Sequence, residues 1–196
     1  MCPRALLPTH IKPPLLSRWR FFIDMNLQSD DFELMGLPRQ FALDRVVLDE
    51  RWKELQKQTH PDRFAGEGGV AQRVAMQWSV RINEAYQRLK NPLKRAAYLC
   101  ELFGVPVRAE DNTAMPTAFL MQQMEWREAL DDATSEDDLD DLDSEVASVK
   151  RGMLQNCEQL LVSEIGAKDA VQTVRSLMFV ERFAQDIDRR REQLEQ

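Results

Sequence analysis

The sequence is poor in the residues that catalytic and metal sites usually need. Among its 196 residues are three cysteines, Cys2, Cys100 and Cys157, which are far apart and odd in number. No Cys-x-x-Cys pair occurs, so neither a zinc site nor a disulfide framework is indicated. The histidines are His10 and His60, no glycine-rich phosphate loop is present, and no nucleophile–base pair can be nominated. An enzyme is therefore disfavoured, and no metal or cofactor is expected.

Long apolar runs and an even charge distribution are also missing. No stretch approaches the ~18 apolar residues that a membrane span needs. The net charge of −7 divides into +3 over residues 1–26, +1 over 27–104 and −11 over 105–196. The acidic second half argues against nucleic acid as a partner, because phosphate binding needs a basic surface. The few unpaired cysteines favour a reducing compartment, so a cytoplasmic protein is expected.

What the sequence does contain is helical periodicity on both sides of one short stretch, Gln58–Arg63. The preceding segment, 43–59, carries apolar or semi-apolar residues in steps of 4, 3 and 4, and Asp44 is a good N-cap. The segment 70–89 repeats such a stripe, and Pro61 with three glycines separates the two. The pattern predicts a helical hairpin with His60, Pro61 and Asp62 on its exposed tip. The stripe residues are Leu48, Trp52, Leu55 and Thr59, then Val74, Trp78, Ile82, Ala85 and Leu89.

Cationic side chains accompany the tip. Lys53 and Lys57 point away from the apolar stripe, Arg51 lies on its flank, and Arg63 follows the tip directly. Charged helix faces are usually only solvated, and a His-Pro pair is usually only a turn. An exposed loop on a rigid scaffold beside such a face is nevertheless a natural docking surface.

The tripeptide His60-Pro61-Asp62 between two helices resembles the J-domain, the module that stimulates ATP hydrolysis by DnaK-type chaperones. Segments 31–37, 82–89 and 91–98 are similar to its first, third and fourth helices. A short first helix capped by Asp30 or Asp31 is therefore expected. The chaperone-binding residues that the resemblance and the charge pattern imply are Arg51, Lys53, Lys57, His60, Pro61, Asp62 and Arg63.

The second half predicts three more amphipathic helices and hence an all-α fold. Residues 116–132 have apolar positions on more than one stripe, which could make a second contact face. A nine-acid run over 131–145 precedes a helix capped by Thr134 or Ser135, with a near-heptad seam. Ile165-Gly166 is expected to end this helix, and Asp169 to open the last one.

Segment 117–128 resembles the start of the C-terminal domain of HscB, the iron–sulfur assembly co-chaperone, and 174–179 is similar to its last helix. The match implies a bacterial-type two-armed adaptor that engages the chaperone HscA and carries the scaffold protein IscU, with no membrane partner. The implied scaffold-binding residues are Leu120, Met121, Met124, Glu125, Glu128, Asp132 and Phe179.

The expected organisation is an extension over 1–26 with Met25 as the true start, a J-domain over 27–104, a linker over 105–115 and a three-helix scaffold-binding domain over 116–196. Alternatives remain open. The acidic helical domain could bind other protein clients in a general J-domain co-chaperone, or the chain could be a structural helical protein whose His-Pro-Asp is accidental. Binding to purified scaffold, and ATPase stimulation of a DnaK-type partner, separate these hypotheses.

Overall fold

The computed structural model describes residues 28–108 and 115–194, which form helices and turns with no strand. The all-α prediction is confirmed. The expected extension 1–26, its start at Met25 and residues 109–114 of the expected linker lie outside this range. Within it, no helix is long and apolar enough to cross a bilayer. The helices are α1 (Asp31–Met35), α2 (Arg45–Thr59), α3 (Gly69–Lys90), α4 (Pro92–Leu102), α5 (Thr117–Asp132), α6 (Glu136–Leu160) and α7 (Glu164–Leu194), with a 3-10 turn at Pro61–Phe64 between α2 and α3.

Side-chain caps fix where the helices begin. The Asp30 carboxylate accepts a hydrogen bond from the Glu33 amide at 2.9 Å, and Asp44 accepts one from the Val46 amide at 2.8 Å. Ser135 caps α6, and Asp138 accepts a bond in return from the Ser135 amide at 2.9 Å. Each cap satisfies backbone N–H groups that have no partner inside the helix. The bond from the Ser135 side chain, with those from nearby amides, holds the pKa of Asp138 below its ordinary value.

The described chain divides into two compact units. One comprises 28–38 and 49–86, and the other comprises 39–48, 87–108 and 115–194. In the first, the residues of α1 and the hairpin are joined by a buried ion pair, in which Arg81 lies 2.7 Å from the fully buried carboxylate of Asp31. Arg51 adds a second link, because its Nε donates to the Met35 carbonyl at 3.1 Å.

The second unit contains a three-helix bundle of α5, α6 and α7, as predicted. Helix α4 packs against α7, and the Cys100 thiol lies 4.0 Å from the Ala167 carbonyl. The expected domain boundary at residue 104 stays a prediction, because a compact unit defined by residue contacts need not be a domain. The bundle core consists of Phe119, Trp126, Ala133, Leu139, Leu142, Val146, Val180, Phe183 and Ile187.

The connection between α6 and α7 differs from the sequence expectation. Helix α6 ends at Leu160 and α7 begins at Glu164, so the predicted end at Ile165-Gly166 and the predicted start at Asp169 are both wrong. The Ser163 hydroxyl accepts a hydrogen bond from the Gly166 amide at 3.2 Å, which caps the new helix. Gly166 is a helical residue, and a Cβ there would lie 2.1 Å from the Leu160 carbonyl oxygen. The glycine therefore permits a close approach of the two helices at their turn.

Two glycines of α6 and α7 should respond oppositely to alanine. Gly166→Ala places a methyl group against backbone, so we expect a loss of about 3 kcal/mol, at the upper end of the cost of overpacking. Gly152→Ala lies in α6 with open space around its Cβ and should stabilise the protein by about 0.5–1 kcal/mol. Urea denaturation of both variants, followed by circular dichroism, measures the difference. Equal midpoints for the two would contradict the geometry of the turn.

Candidate functional site

The tip of the hairpin exposes the side chains that the sequence singled out. His60 is 56% exposed and Asp62 is 87% exposed. The His60 backbone is extended, as expected before proline, and Pro61 occupies the first turn of the 3-10 helix. His60 Nδ1 accepts a hydrogen bond from the Asp62 amide at 3.3 Å and lies 3.6 Å from the Asp62 carboxylate. The Asp62 carboxylate is thus presented to solvent on a turn of fixed shape.

Buried groups on both sides hold this turn in place. Phe64 is 2% exposed and packs with Ala71 and Ala75 in a small cluster of its own. Before the turn, the buried Thr59 hydroxyl donates to the Leu55 carbonyl at 2.9 Å and completes the last turn of α2. The tip is therefore anchored at both ends, although its own side chains point outward.

A polar network sets the register of the hairpin, and the sequence did not predict it. The Trp52 indole N–H and the Gln56 amide both donate to the Asn83 side-chain oxygen at 2.8 Å. The Ser79 hydroxyl donates to Gln56 Oε1 at 2.8 Å. Trp52 also stacks on Tyr86, with ring centroids 4.6 Å apart. The feature of the sequence that could have predicted this network is the presence of polar residues on the facing sides of the two amphipathic helices.

The predicted cationic residues divide into two groups. Lys53 and Lys57 are exposed one helical turn apart and form no ion pair within the described part of the chain. Arg51 is engaged internally, because it contacts the Met35 carbonyl and its guanidinium lies 2.5 Å from Glu54. Arg63 donates to the Lys57 carbonyl at 2.8 Å, which ties the turn to the end of α2. The free positive charge on this face therefore belongs to the lysines.

The outward face of α5 is a second candidate site. Met121 and Met124 are 59% and 70% exposed, and Leu120 is 44% exposed. Glu125, Glu128 and Asp132 are exposed on the same helix. With a 100° step, Glu128 falls within the arc of the three apolar residues, and Glu125 and Asp132 lie just beyond the edge of that arc at Met121. Phe119 and Trp126 form the opposite, buried side. Helix α5 therefore carries one stripe for the core and another, of mixed apolar and acidic character, for solvent.

Phe179 belongs to α7, and it is 39% exposed while Val180 and Phe183 are buried. It lines a groove of about 220 Å³ together with residues of α5, so the bundle brings Phe179 beside that helix. Arg127 and Arg182 line the same groove, and neither was predicted as a site residue from the sequence. The only feature of the sequence that pointed to them was an arginine close to an aromatic residue on each of the two helices.

Neither candidate site resembles a reaction centre. Among the residues that the structure describes, no group of three or more His, Cys, Asp or Glu side chains could hold a metal ion. Cys100 and Cys157 are fully buried and form no disulfide bond. Burial raises the pKa of the Cys100 thiol to about 11 and that of Cys157 to about 12. The exposed groups can instead form contacts with other proteins.

Comparison with known proteins decides the family. A family model described as the HSCB C-terminal oligomerisation domain matches residues 115–188. The co-chaperone protein HscB homologue of Burkholderia multivorans is 49% identical over 175 residues, which cover 87% of this chain and 99% of that relative. The chain belongs to the HscB co-chaperone family. The HscB homologue of Burkholderia thailandensis is also 49% identical, over 174 residues, 87% of this chain and 99% of the relative.

Solved HscB structures have a similar fold. Chaperone HscB from Vibrio cholerae matches with a TM-score of 0.72 and 35% identity, covering 85% of this chain and 99% of that one. Human co-chaperone HscB matches with a TM-score of 0.80 and 25% identity, covering 85% and 84% of the two chains. The HscB relatives are named as co-chaperones, which is consistent with a protein that is not an enzyme.

Proposed function

We propose that this HscB family member is an adaptor in iron–sulfur cluster assembly. The J-domain tip would stimulate the ATPase of the DnaK-type chaperone HscA, and the outward face of α5 with Phe179 would hold the scaffold protein IscU. The observation that carries the proposal is the exposed His60-Pro61-Asp62 turn on a hairpin of fixed register. A cytoplasmic location, expected from the unpaired cysteines, belongs to the same proposal.

The tip residues have separate roles in this proposal. The Asp62 carboxylate, almost fully solvated here, would accept a charge-assisted hydrogen bond from an arginine of the chaperone. Pro61 fixes the backbone dihedral φ at the start of the turn. His60 holds the Asp62 amide and would contact the chaperone through its exposed ring. Binding the ATP-hydrolysing conformation better than other conformations would shift the chaperone towards it.

The cationic face would orient this contact. Lys53 and Lys57 lie on the helix that leads to the tip, and their side chains form no ion pair within the described residues. Exposed charges of this kind steer association with an acidic surface and affect the on-rate more than the affinity. Arg51 and Arg63, which are engaged within the hairpin, would contribute chiefly by holding its shape.

The α5 face would bind the scaffold through its apolar residues. Leu120, Met121 and Met124 expose large side chains, and partner-binding energy usually concentrates in a few such residues at the centre of an interface. Glu125, Glu128 and Asp132 would form the polar edge and select a partner with complementary charge. Holding scaffold and chaperone on one chain raises their concentration relative to each other.

One titration tests the proposal. The steady-state ATPase rate of purified HscA is measured against increasing amounts of this protein, with and without IscU. We expect stimulation that saturates with the co-chaperone, and a further, synergistic rise when scaffold is present. An ATPase rate that does not change with either addition would sink the proposal.

A general J-domain co-chaperone is the second candidate function. The exposed pair Met121 and Met124 favours it, because methionine side chains adapt to many partner surfaces. In that case ATPase stimulation would persist, but purified scaffold would bind no better than an unrelated unfolded protein.

A further inference from the structure

The groove between α5 and α7 has an aromatic base. Trp126 and Phe183, which are 2% and 8% exposed, stack there with ring centroids 5.5 Å apart, and the 39% exposed Phe179 provides the apolar surface that a partner can contact. The volume of about 220 Å³ exceeds the roughly 150 Å³ of a cavity that accommodates benzene. It falls short of the roughly 300 Å³ at which sites for small-molecule cofactors begin. The groove therefore suits one or two side chains of another protein. Its lining residues are Gln123, Trp126, Arg127, Phe179, Arg182, Phe183 and Asp186.

Two unneutralised cations distinguish this groove from its surroundings. Arg127 and Arg182 are exposed, and their side chains form no ion pair or hydrogen bond with any residue in the described ranges. Asp186 also lines the groove, but its carboxylate is bound by Arg189. The other lining residues are uncharged. Because residues 105–196 carry a net charge of −11, a locally positive groove is an exception on this part of the chain.

We propose that this groove binds an acidic–apolar segment of a protein partner. A leucine-sized side chain would pack on the exposed ring of Phe179 above the Trp126–Phe183 stack, and a neighbouring aspartate or glutamate would lie between Arg127 and Arg182. Arginine forms paired hydrogen bonds with carboxylates, and each guanidinium here is free to do so.

The inference rests on the proposed function for the identity of the partner, which is the scaffold protein. Phe179 is shared by the groove and the proposed scaffold-binding face, so one bound partner could occupy both. The two surfaces would then recognise opposite features. The α5 face presents carboxylates to a basic region of the partner, whereas the groove accepts an acidic residue. This combination fixes the orientation of the partner along α5.

The groove chemistry is tested first without the scaffold. The full chain, labelled with ¹⁵N, is titrated with the blocked dipeptide acetyl-Leu-Asp-amide and separately with acetyl-Leu-Asn-amide. We expect the Trp126 indole N–H signal and the arginine Nε–H signals of Arg127 and Arg182 to shift at millimolar peptide. The asparagine peptide should bind at least fivefold more weakly, and the double variant Arg127→Gln/Arg182→Gln should lose the difference. Equal shifts with both peptides, or shifts retained in the double variant, would overturn the groove assignment.

The partner is tested by calorimetry with purified scaffold. Arg127→Gln/Arg182→Gln should weaken binding about tenfold. The matched control Arg151→Gln/Lys168→Gln removes the same charge from exposed positions on α6 and α7 and should leave the affinity unchanged. Scaffold binding that is equal in both double variants would overturn the assignment of the partner. If the unmodified protein does not bind scaffold, the proposed function fails, and the dipeptide result still decides whether the groove recognises carboxylates.

Discussion

With the His60→Gln variant, the ATPase rate of HscA is expected to stay at its basal value. The Asp62→Asn variant is expected to stimulate HscA roughly 10- to 100-fold more weakly than the unmodified protein. The second estimate follows from the ~1.5–3 kcal/mol that a hydrogen bond to a charged group contributes. The Asp62→Asn variant keeps the size of the carboxylate and loses its charge, so it separates charge from shape. The His60→Gln variant loses the imidazole ring that both accepts from the Asp62 amide and extends into solvent. The measurement is the single-turnover ATPase rate of HscA against co-chaperone concentration.

The control for these variants is Glu84→Gln, which removes one carboxylate from an exposed position on α3. Its stimulation should equal that of the unmodified protein. Scaffold affinity should be unchanged in all three variants, because the tip and the α5 face belong to separate units. If His60→Gln stimulated the HscA ATPase as strongly as the unmodified protein, the tip would not be the chaperone-binding site, whether or not the variant binds scaffold.

The triple variant Leu120→Ala/Met121→Ala/Phe179→Ala should show the reverse behaviour. We expect scaffold affinity to fall by roughly 100-fold or more, since truncating central interface residues often costs above ~1 kcal/mol each. Stimulation of HscA in the absence of scaffold should persist. All three side chains are at least 39% exposed, so the folded structure loses little packing on truncation. Calorimetric titration with scaffold measures the first effect, and the ATPase assay measures the second.

A matched control exists on the same bundle. Val162 and Ile165, in the turn between α6 and α7 and at the start of α7, are 77% and 78% exposed. The variant Val162→Ala/Ile165→Ala truncates exposed aliphatic side chains outside the predicted scaffold face. Its scaffold affinity should match that of the unmodified protein. Normal binding by the triple variant, or an equal loss in this control, would show that the face on α5 has been assigned incorrectly.

Local signals account for the parts of the fold that sequence reasoning predicted. Asp30, Asp44 and Ser135 cap helices through bonds to amides two or three residues ahead, so a short window of sequence contains the whole interaction. The tip was predicted for the same reason, because proline and glycine interrupt a strong apolar period. The fold class also follows, since amphipathic segments without strand-like alternation have few other ways to bury their stripes.

Contacts between distant segments account for what the sequence did not predict. Ile165-Gly166 was interpreted as the end of α6. Gly166 instead lies inside α7, and its missing side chain leaves room for the Leu160 carbonyl at the end of α6. Asn83 receives bonds from Trp52 and Gln56, which lie 31 and 27 residues away along the chain. Arg127 and Arg182 share a groove only because α5 and α7 pack together. Spacing along one helix cannot show such pairings.

The two interior thiols have a consequence for the proposed binding of an iron–sulfur scaffold. Because the thiolate is the form that ligates metals and attacks electrophiles, burial that raises the pKa of Cys100 to about 11 keeps this thiol protonated at neutral pH. Burial likewise raises the pKa of Cys157 to about 12, so this thiol is also protonated. Buried and protonated, these two side chains are poorly placed to take metal from a scaffold bound on the proposed surface. In the proposed function, any metal on the scaffold would then leave with the scaffold itself.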